Sequence, residues 1–195
     1  MSRLQDTFAE LREHGRPGLV TFITAGDPSL DRSGKILRAL ERGGADVLEV
    51  GVPFSDPLAD GPVIQRATER ALTAGTTLSG VLNMVAGIRD DIVAPVVIFS
   101  YVNPILRMGT ERFAERAQAS GVDGVLVLDL PVEEADEFRG MMAGRNIDTI
   151  FLLSPTTTDD RIRRAGELGQ GFLYAISRLG VTGARDTVAE GVEQL

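Results

Sequence analysis

Gly44-Ala-Asp-Val-Leu-Glu-Val-Gly-Val-Pro-Phe-Ser-Asp-Pro-Leu-Ala-Asp-Gly-Pro62 holds the pattern that decides the fold. A glycine suited to ending a helix comes first. The apolar run Val47–Val52 follows, without clean polar alternation, as in a strand covered on both faces. A Pro- and Gly-rich loop comes next, and Pro62 sits where a helix can begin. The opening of this pattern echoes at Gly121-Val-Asp-Gly-Val-Leu-Val127, again glycine, aspartate and then an apolar run.

Six such β-like runs occur along the chain: Leu19–Thr24, Val47–Val52, Val96–Tyr101, Val125–Leu130, Thr149–Leu153 and Phe172–Ile176. Helical spacing of apolar residues separates them, over Leu30–Arg42, Pro62–Ala74, Leu78–Ile88, Glu111–Ala119, Glu133–Ala143 and Asp159–Leu168. Thr158 is positioned to cap the last of these. Leu4, Phe8 and Leu11 predict an extra helix within Ser2–His14, packed over the bottom of the fold. Alternating β and α elements give an α/β domain, either an open doubly wound sheet or a barrel. Every run ends in polar or turn residues: Thr24 to Asp27, Glu49, Ser100 to Asn103, Asp129, Ser154, and Ser177 with Arg178. Polar groups contributed by all six ends favour a (β/α)8 TIM barrel, whose site rings the C-terminal mouth, over an open sheet with one switch point.

At 195 residues the chain reads as one domain, residues 1–195, with six β/α units of an eight-unit barrel. A net charge of -8 argues against nucleic acid and anionic membranes as partners. No apolar run reaches transmembrane length and no signal-peptide pattern is present, so a cytoplasmic location is expected. With no cysteine and one histidine, His14, the chain offers neither a thiolate or histidine metal cluster nor a Ser-His-Asp triad. The single lysine, Lys35, lies in a helical stretch away from the strand ends, which argues against Schiff-base chemistry. Neither a dinucleotide-binding nor an NTP-binding glycine motif occurs.

Two carboxylates stand out. Period-two geometry puts Val47, Glu49 and Gly51 on one face of the second strand, with Leu48 and Val50 on the other. Glu49 then points into the barrel, where desolvation raises its pKa and suits it to move protons; a buried ion pair with arginine is the alternative. Asp60, before Gly61-Pro62, reads from its position alone more as a turn or cap residue than as a second acid in a more solvated setting.

The stretch Leu48–Pro62 closely resembles the signature of the tryptophan synthase α-subunit family, and the resemblance extends over the whole chain. Supporting it are Thr24-Ala-Gly-Asp-Pro28, Asp129-Leu-Pro-Val-Glu-Glu134 and Ser177-Arg178. It implies a carbon–carbon lyase that splits indole-3-glycerol phosphate into indole and glyceraldehyde 3-phosphate during tryptophan biosynthesis. Glu49 would be the general acid and base. Asp60 would stay ionised, accept the indole N–H and stabilise positive charge on the ring. Phe22, Phe99, Leu126 and Tyr174 match substrate-pocket positions. Thr182 and Gly183, in Ser177–Ala184, match a mobile loop that closes over the site, Thr182 positioning Asp60 and Gly183 offering an N–H to phosphate; an ordinary flexible loop is the other reading. Tyr101 and Asn103 lie at the mouth without an assigned role, and Asp56 is left to structure or the subunit interface.

The family pairing implies a PLP-dependent β-subunit partner in an α₂β₂ assembly, with no cofactor and no metal in this chain. Two further β/α units, which carry much of the phosphate site, are expected beyond the residues present. The remaining alternatives are a non-catalytic scaffold that docks on the β subunit, and a stand-alone indole-releasing lyase.

Overall fold

The computed structural model describes residues 2–176. Strands β1 Val20–Thr24, β2 Val47–Gly51, β3 Val96–Ser100, β4 Gly124–Val127, β5 Asp148–Leu153 and β6 Leu173–Ala175 pair in parallel, each with its neighbour in sequence. That unbroken order has no switch point, so it follows the barrel alternative and not the doubly wound one. Helices α1 Arg3–Glu13, α2 Leu30–Arg42, α3 Pro62–Thr73, α4 Leu78–Ile88, α5 Val102–Met108, α6 Thr110–Ala119, α7 Asp136–Ala143 and α8 Asp159–Leu168 complete the described residues.

The strands are short apolar runs because both faces are covered. Leu48, Val50, Val96, Ile98 and Val125 pack outward with Leu37, Val81, Leu82 and Phe113 of the helix layer. Val47, Val97, Leu126 and Ile150 pack inward as a separate cluster that includes Leu4 of α1. The alternation read in β2 is therefore the division between the two cores. Register places Phe22, Glu49 and Val97 side by side, and Thr24, Gly51, Phe99, Leu126 and Ile150 side by side one pleat further toward the mouth.

Helix α1 plugs the bottom end, opposite the mouth. Ser2 caps it in a reciprocal box with Gln5, and the Ser2 hydroxyl donates to the Asp148 carboxylate. Arg3 Nη1 donates to Asp123 at 3.0 Å, and the Phe8 and Phe172 rings lie 5.3 Å apart. Arg89, which also reaches Asp123, donates to the carbonyls of Ile92, Val93 and Ala94 and ties the β3 entry down. Leu4 is fully buried. Leu4→Ala is expected to lower stability by about 2–5 kcal/mol, as for other buried leucines. Urea unfolding checks this, and a loss below about 1 kcal/mol would mean that the plug does not contribute to the interior core.

Three local expectations differ from the structure. Thr158 has extended cap geometry but makes no side-chain cap bond; the neighbouring Thr157 hydroxyl instead accepts the Ser154 N–H at 2.8 Å. The stretch Glu133–Ala143 is not one helix. A 3₁₀ turn, Val132–Glu134, precedes α7, and the break buries Ala135 against Phe151, Ala165 and Leu168. The run Val125–Leu130 leaves the sheet after Val127, because the chain turns there and Asp129 accepts the Val102 N–H at 2.6 Å.

Candidate active site

Glu49 stands on the inward face of β2 and is 3 % exposed. Its Oε1 is buried with no hydrogen-bond partner among the described residues. Desolvation is the cause acting on the carboxyl among the described residues, and it pushes the pKa up to about 7. The arginine-paired alternative is thus not what the described residues show. An unpaired carboxyl with this acidity can release and take up a proton near neutrality.

Aromatic rings surround this acid. Phe22 is its register partner on β1. The Phe22 and Phe99 rings meet edge to face with centroids 5.4 Å apart, and Phe99 meets Tyr174 in the same manner at 6.3 Å. Burial raises the Tyr174 pKa, and the Glu49 charge raises it further, so the phenol senses the carboxylate. Leu126, fully buried in the inner cluster, is the register partner of Phe99 on β4, with Tyr174 packed against the same cluster. The structure therefore gathers four of the six residues matched to the substrate pocket, Phe22, Phe99, Leu126 and Tyr174, around the inner face that carries Glu49. The other two, Thr182 and Gly183, lie outside the described residues, as does the rest of Ser177–Ala184.

Gly51 leaves room for this arrangement. A Cβ at that position would lie 2.5 Å from Phe22 Cζ. Gly51→Ala is expected to displace the ring and to lower activity by roughly 10- to 100-fold, the cost of misplacing a reacting group by about an ångström. Steady-state kinetics with a circular dichroism control check this; parent-like rates would take the Phe22 ring out of the site.

Asp60 lies in the loop between β2 and α3. The loop turns back on itself, with Leu58 N donating to Asp56 O at 2.9 Å and Asp60 N to Pro57 O at 3.1 Å. Gln65 Nε2 then donates to Asp60 O at 2.8 Å. The Asp60 side chain borders a recess with Phe22, Gly51, Phe99 and Tyr101. It is only 9 % exposed, more buried than its Pro- and Gly-rich setting predicts, and burial raises its pKa. The cause is tertiary: Tyr101, at the end of β3, closes over the loop. Its phenol oxygen accepts the Ala59 N–H at 3.1 Å, and its ring sits 5.1 Å from that of Phe54. The sequence assigns Tyr101 no role; its one signal is an aromatic residue directly after an apolar strand.

A parallel six-stranded β/α sheet in barrel order, with a readily protonated acid on its inner face that has no hydrogen-bond partner for Oε1 among the described residues, defines an acid–base enzyme of the β/α-barrel class. The family model described as "Tryptophan synthase alpha chain" matches residues 8–195. The tryptophan synthase alpha chain of Burkholderia thailandensis is 54 % identical over 194 residues, covering 99 % of this chain and 72 % of the relative. That of Geotalea uraniireducens is 51 % identical over 192 residues, with 98 % and 72 % covered. The crystal structure of tryptophan synthase subunit alpha from Legionella pneumophila superposes with a TM-score of 0.88 at 41 % identity, over 90 % of this chain and 68 % of that one. The structure of Mycobacterium tuberculosis tryptophan synthase gives 0.89 at 38 % identity, over 95 % and 72 %. The chain belongs to the tryptophan synthase alpha chain family. The reaction of this family is carbon–carbon cleavage of indole-3-glycerol phosphate.

Proposed function

We propose that this chain carries out that cleavage itself, releasing indole and glyceraldehyde 3-phosphate, with Glu49 moving the protons and Asp60 holding the indole N–H. The observation that carries the reading is the buried Glu49 carboxyl, whose Oε1 has no hydrogen-bond partner among the described residues, with its pKa pushed up to about 7. Protonated Glu49 donates to indole C3, and the ring becomes an electron sink. The carboxylate so formed takes the proton of the adjacent glycerol hydroxyl. The electron pair of that O–H bond forms the aldehyde C=O, the C–C bond to C3 breaks, and its electrons return to the ring nitrogen. Asp60, when ionised, accepts the N–H and stabilises the positive ring intermediate. Phe22, Phe99, Leu126 and Tyr174 supply the apolar walls, and Thr182 and Gly183 are assigned to the loop that closes over substrate.

The partner in this reading is a β subunit in an α₂β₂ assembly, with PLP held by that subunit and neither cofactor nor metal in this chain. No single helix among the described residues is long and apolar enough to cross a membrane, and the cytoplasm is the proposed location. The test is indole release from indole-3-glycerol phosphate with and without a tryptophan synthase β subunit. Release, faster with the partner, is expected. A folded chain that releases none would overturn the catalytic reading, and stimulation of the β subunit by such a chain would leave it a scaffold.

A further inference from the structure

We infer that Tyr101 is a positioning residue for Asp60, acting through the hydrogen bond from the Ala59 N–H to its phenol oxygen; this rests on the proposed reaction. The loop from Val52 to Gly61 has to hold one carboxylate still while its crest faces solvent. Ser55 and Asp56 are exposed, and Leu58 is the most exposed large apolar residue described. The backbone hydrogen bonds at Leu58 and Asp60 run within the loop. Such local turn bonds shape a loop without fixing where it sits on the barrel. Gln65 ties the Asp60 carbonyl to α3, and the bond from Ala59 ties the loop to the sheet, because Tyr101 follows directly on β3, whose strand is bonded on both sides.

Tyr101 holds the loop at two points. Its ring lies against Phe54 before the crest, and its oxygen takes the N–H of Ala59 after the crest. Packing alone would be served by phenylalanine. A phenol oxygen buried in a residue 7 % exposed is costly without a partner, and the partner is the peptide group next to Asp60. Burial raises the phenol pKa, the bond from Ala59 opposes it, and the Asp60 and Asp129 charges raise it further, so the hydroxyl stays neutral. The proposed reaction assigns no proton transfer to Tyr101. Its effect passes through the backbone to Asp60, and constellations of this kind lose rate when held loosely.

Tyr101→Phe removes the acceptor and keeps the ring. Exchange of the Ala59 amide hydrogen is expected to speed up about tenfold or more, since its hydrogen bond is lost. The kcat for indole release is expected to fall about tenfold, the worth of one such bond, with KM within about twofold. In an Asp60→Asn background the same substitution is expected to change kcat by less than about twofold, because the group it positions is gone. Indole affinity gives the same cycle without turnover. The chain contains no tryptophan, so the fluorescence of added indole reports binding directly. Equal losses in both backgrounds would show a general packing role and overturn the inference. So would unchanged Ala59 exchange, or parent-like kcat and indole affinity in Tyr101→Phe. If the parent binds indole but never cleaves substrate, the catalytic proposal fails, and the exchange and binding cycles still decide the role of Tyr101.

Discussion

Glu49→Gln is expected to reduce indole release by about 10³-fold or more while the fold is retained, as for loss of a general acid and base that serves two successive transfers. Glutamine has the shape of the protonated acid but cannot move a proton. Turnover within about tenfold of the parent would remove Glu49 from its assigned role. The parent's kcat/KM is also expected to fall as pH rises through about 7, because the first transfer needs the protonated form of a carboxyl at that pKa. A profile flat from pH 6 to about 8.5 would contradict this.

The same variant has a stability consequence of opposite sign. The pKa of Glu49 is about 7 in the fold, against 4.5 without burial. Between these values the folded chain holds a proton that the unfolded chain has released. Folding stability is therefore unaffected by this group below about 4.5, falls as pH rises toward 7, and stays lower above it. The shift corresponds to about 3 kcal/mol. Glu49→Gln escapes that loss. Parent and variant are expected to unfold alike near pH 4.5, with the variant more stable by up to about 3 kcal/mol at pH 8. Urea titrations of both proteins at the two pH values measure the difference directly. A variant less stable at pH 8 would mean that Glu49 has a stabilising partner when charged.

Asp60→Asn is expected to cost at least about 10²-fold in kcat, the scale of losing one electrostatic stabiliser of a charged intermediate. Asparagine keeps the size and an acceptor oxygen but not the negative charge. The loss should fall on kcat more than on KM, since positive charge on the ring develops only after C3 is protonated. The Ala59 amide should keep its slow exchange, because the phenol bond to Tyr101 does not involve the Asp60 side chain. A parent-like rate would remove Asp60 from the site. A large loss with a freed Ala59 amide would assign the effect to the loop and not to the charge.

Much of the fold was legible because strand and helix periods differ. Helices over Leu30–Arg42, Leu78–Ile88 and Asp159–Leu168 have the bounds that apolar spacing and flanking residues indicate. Helix α5 went unread: at 7 residues, with Pro104 in its first half, it has no full apolar stripe. It forms where Asp129, from the next strand's end, accepts the Val102 N–H. Thr158 is the N-cap of α8, as its place before Asp159 indicates, though its hydroxyl makes no cap bond. The break at Ala135 has a tertiary origin, since Phe151, Ala165 and Leu168, which the local pattern does not imply, pack against it.

The sequence by itself determined that Glu49 lies on the inward face of a strand and that Asp60 follows in a loop at the same end. Side-chain period and the placement of Gly and Pro are local properties of the chain. Its signature was also enough to name the family. Only the tertiary structure decided that Glu49 Oε1 finds no hydrogen-bond partner among the described residues, that Asp60 is nearly as buried, and that Tyr101 holds the loop between them. Those facts depend on how much water and which groups from β1, β3 and β6 remain around each carboxyl once the sheet is assembled. Acidity and position are set by that surrounding field, which no short stretch of sequence contains.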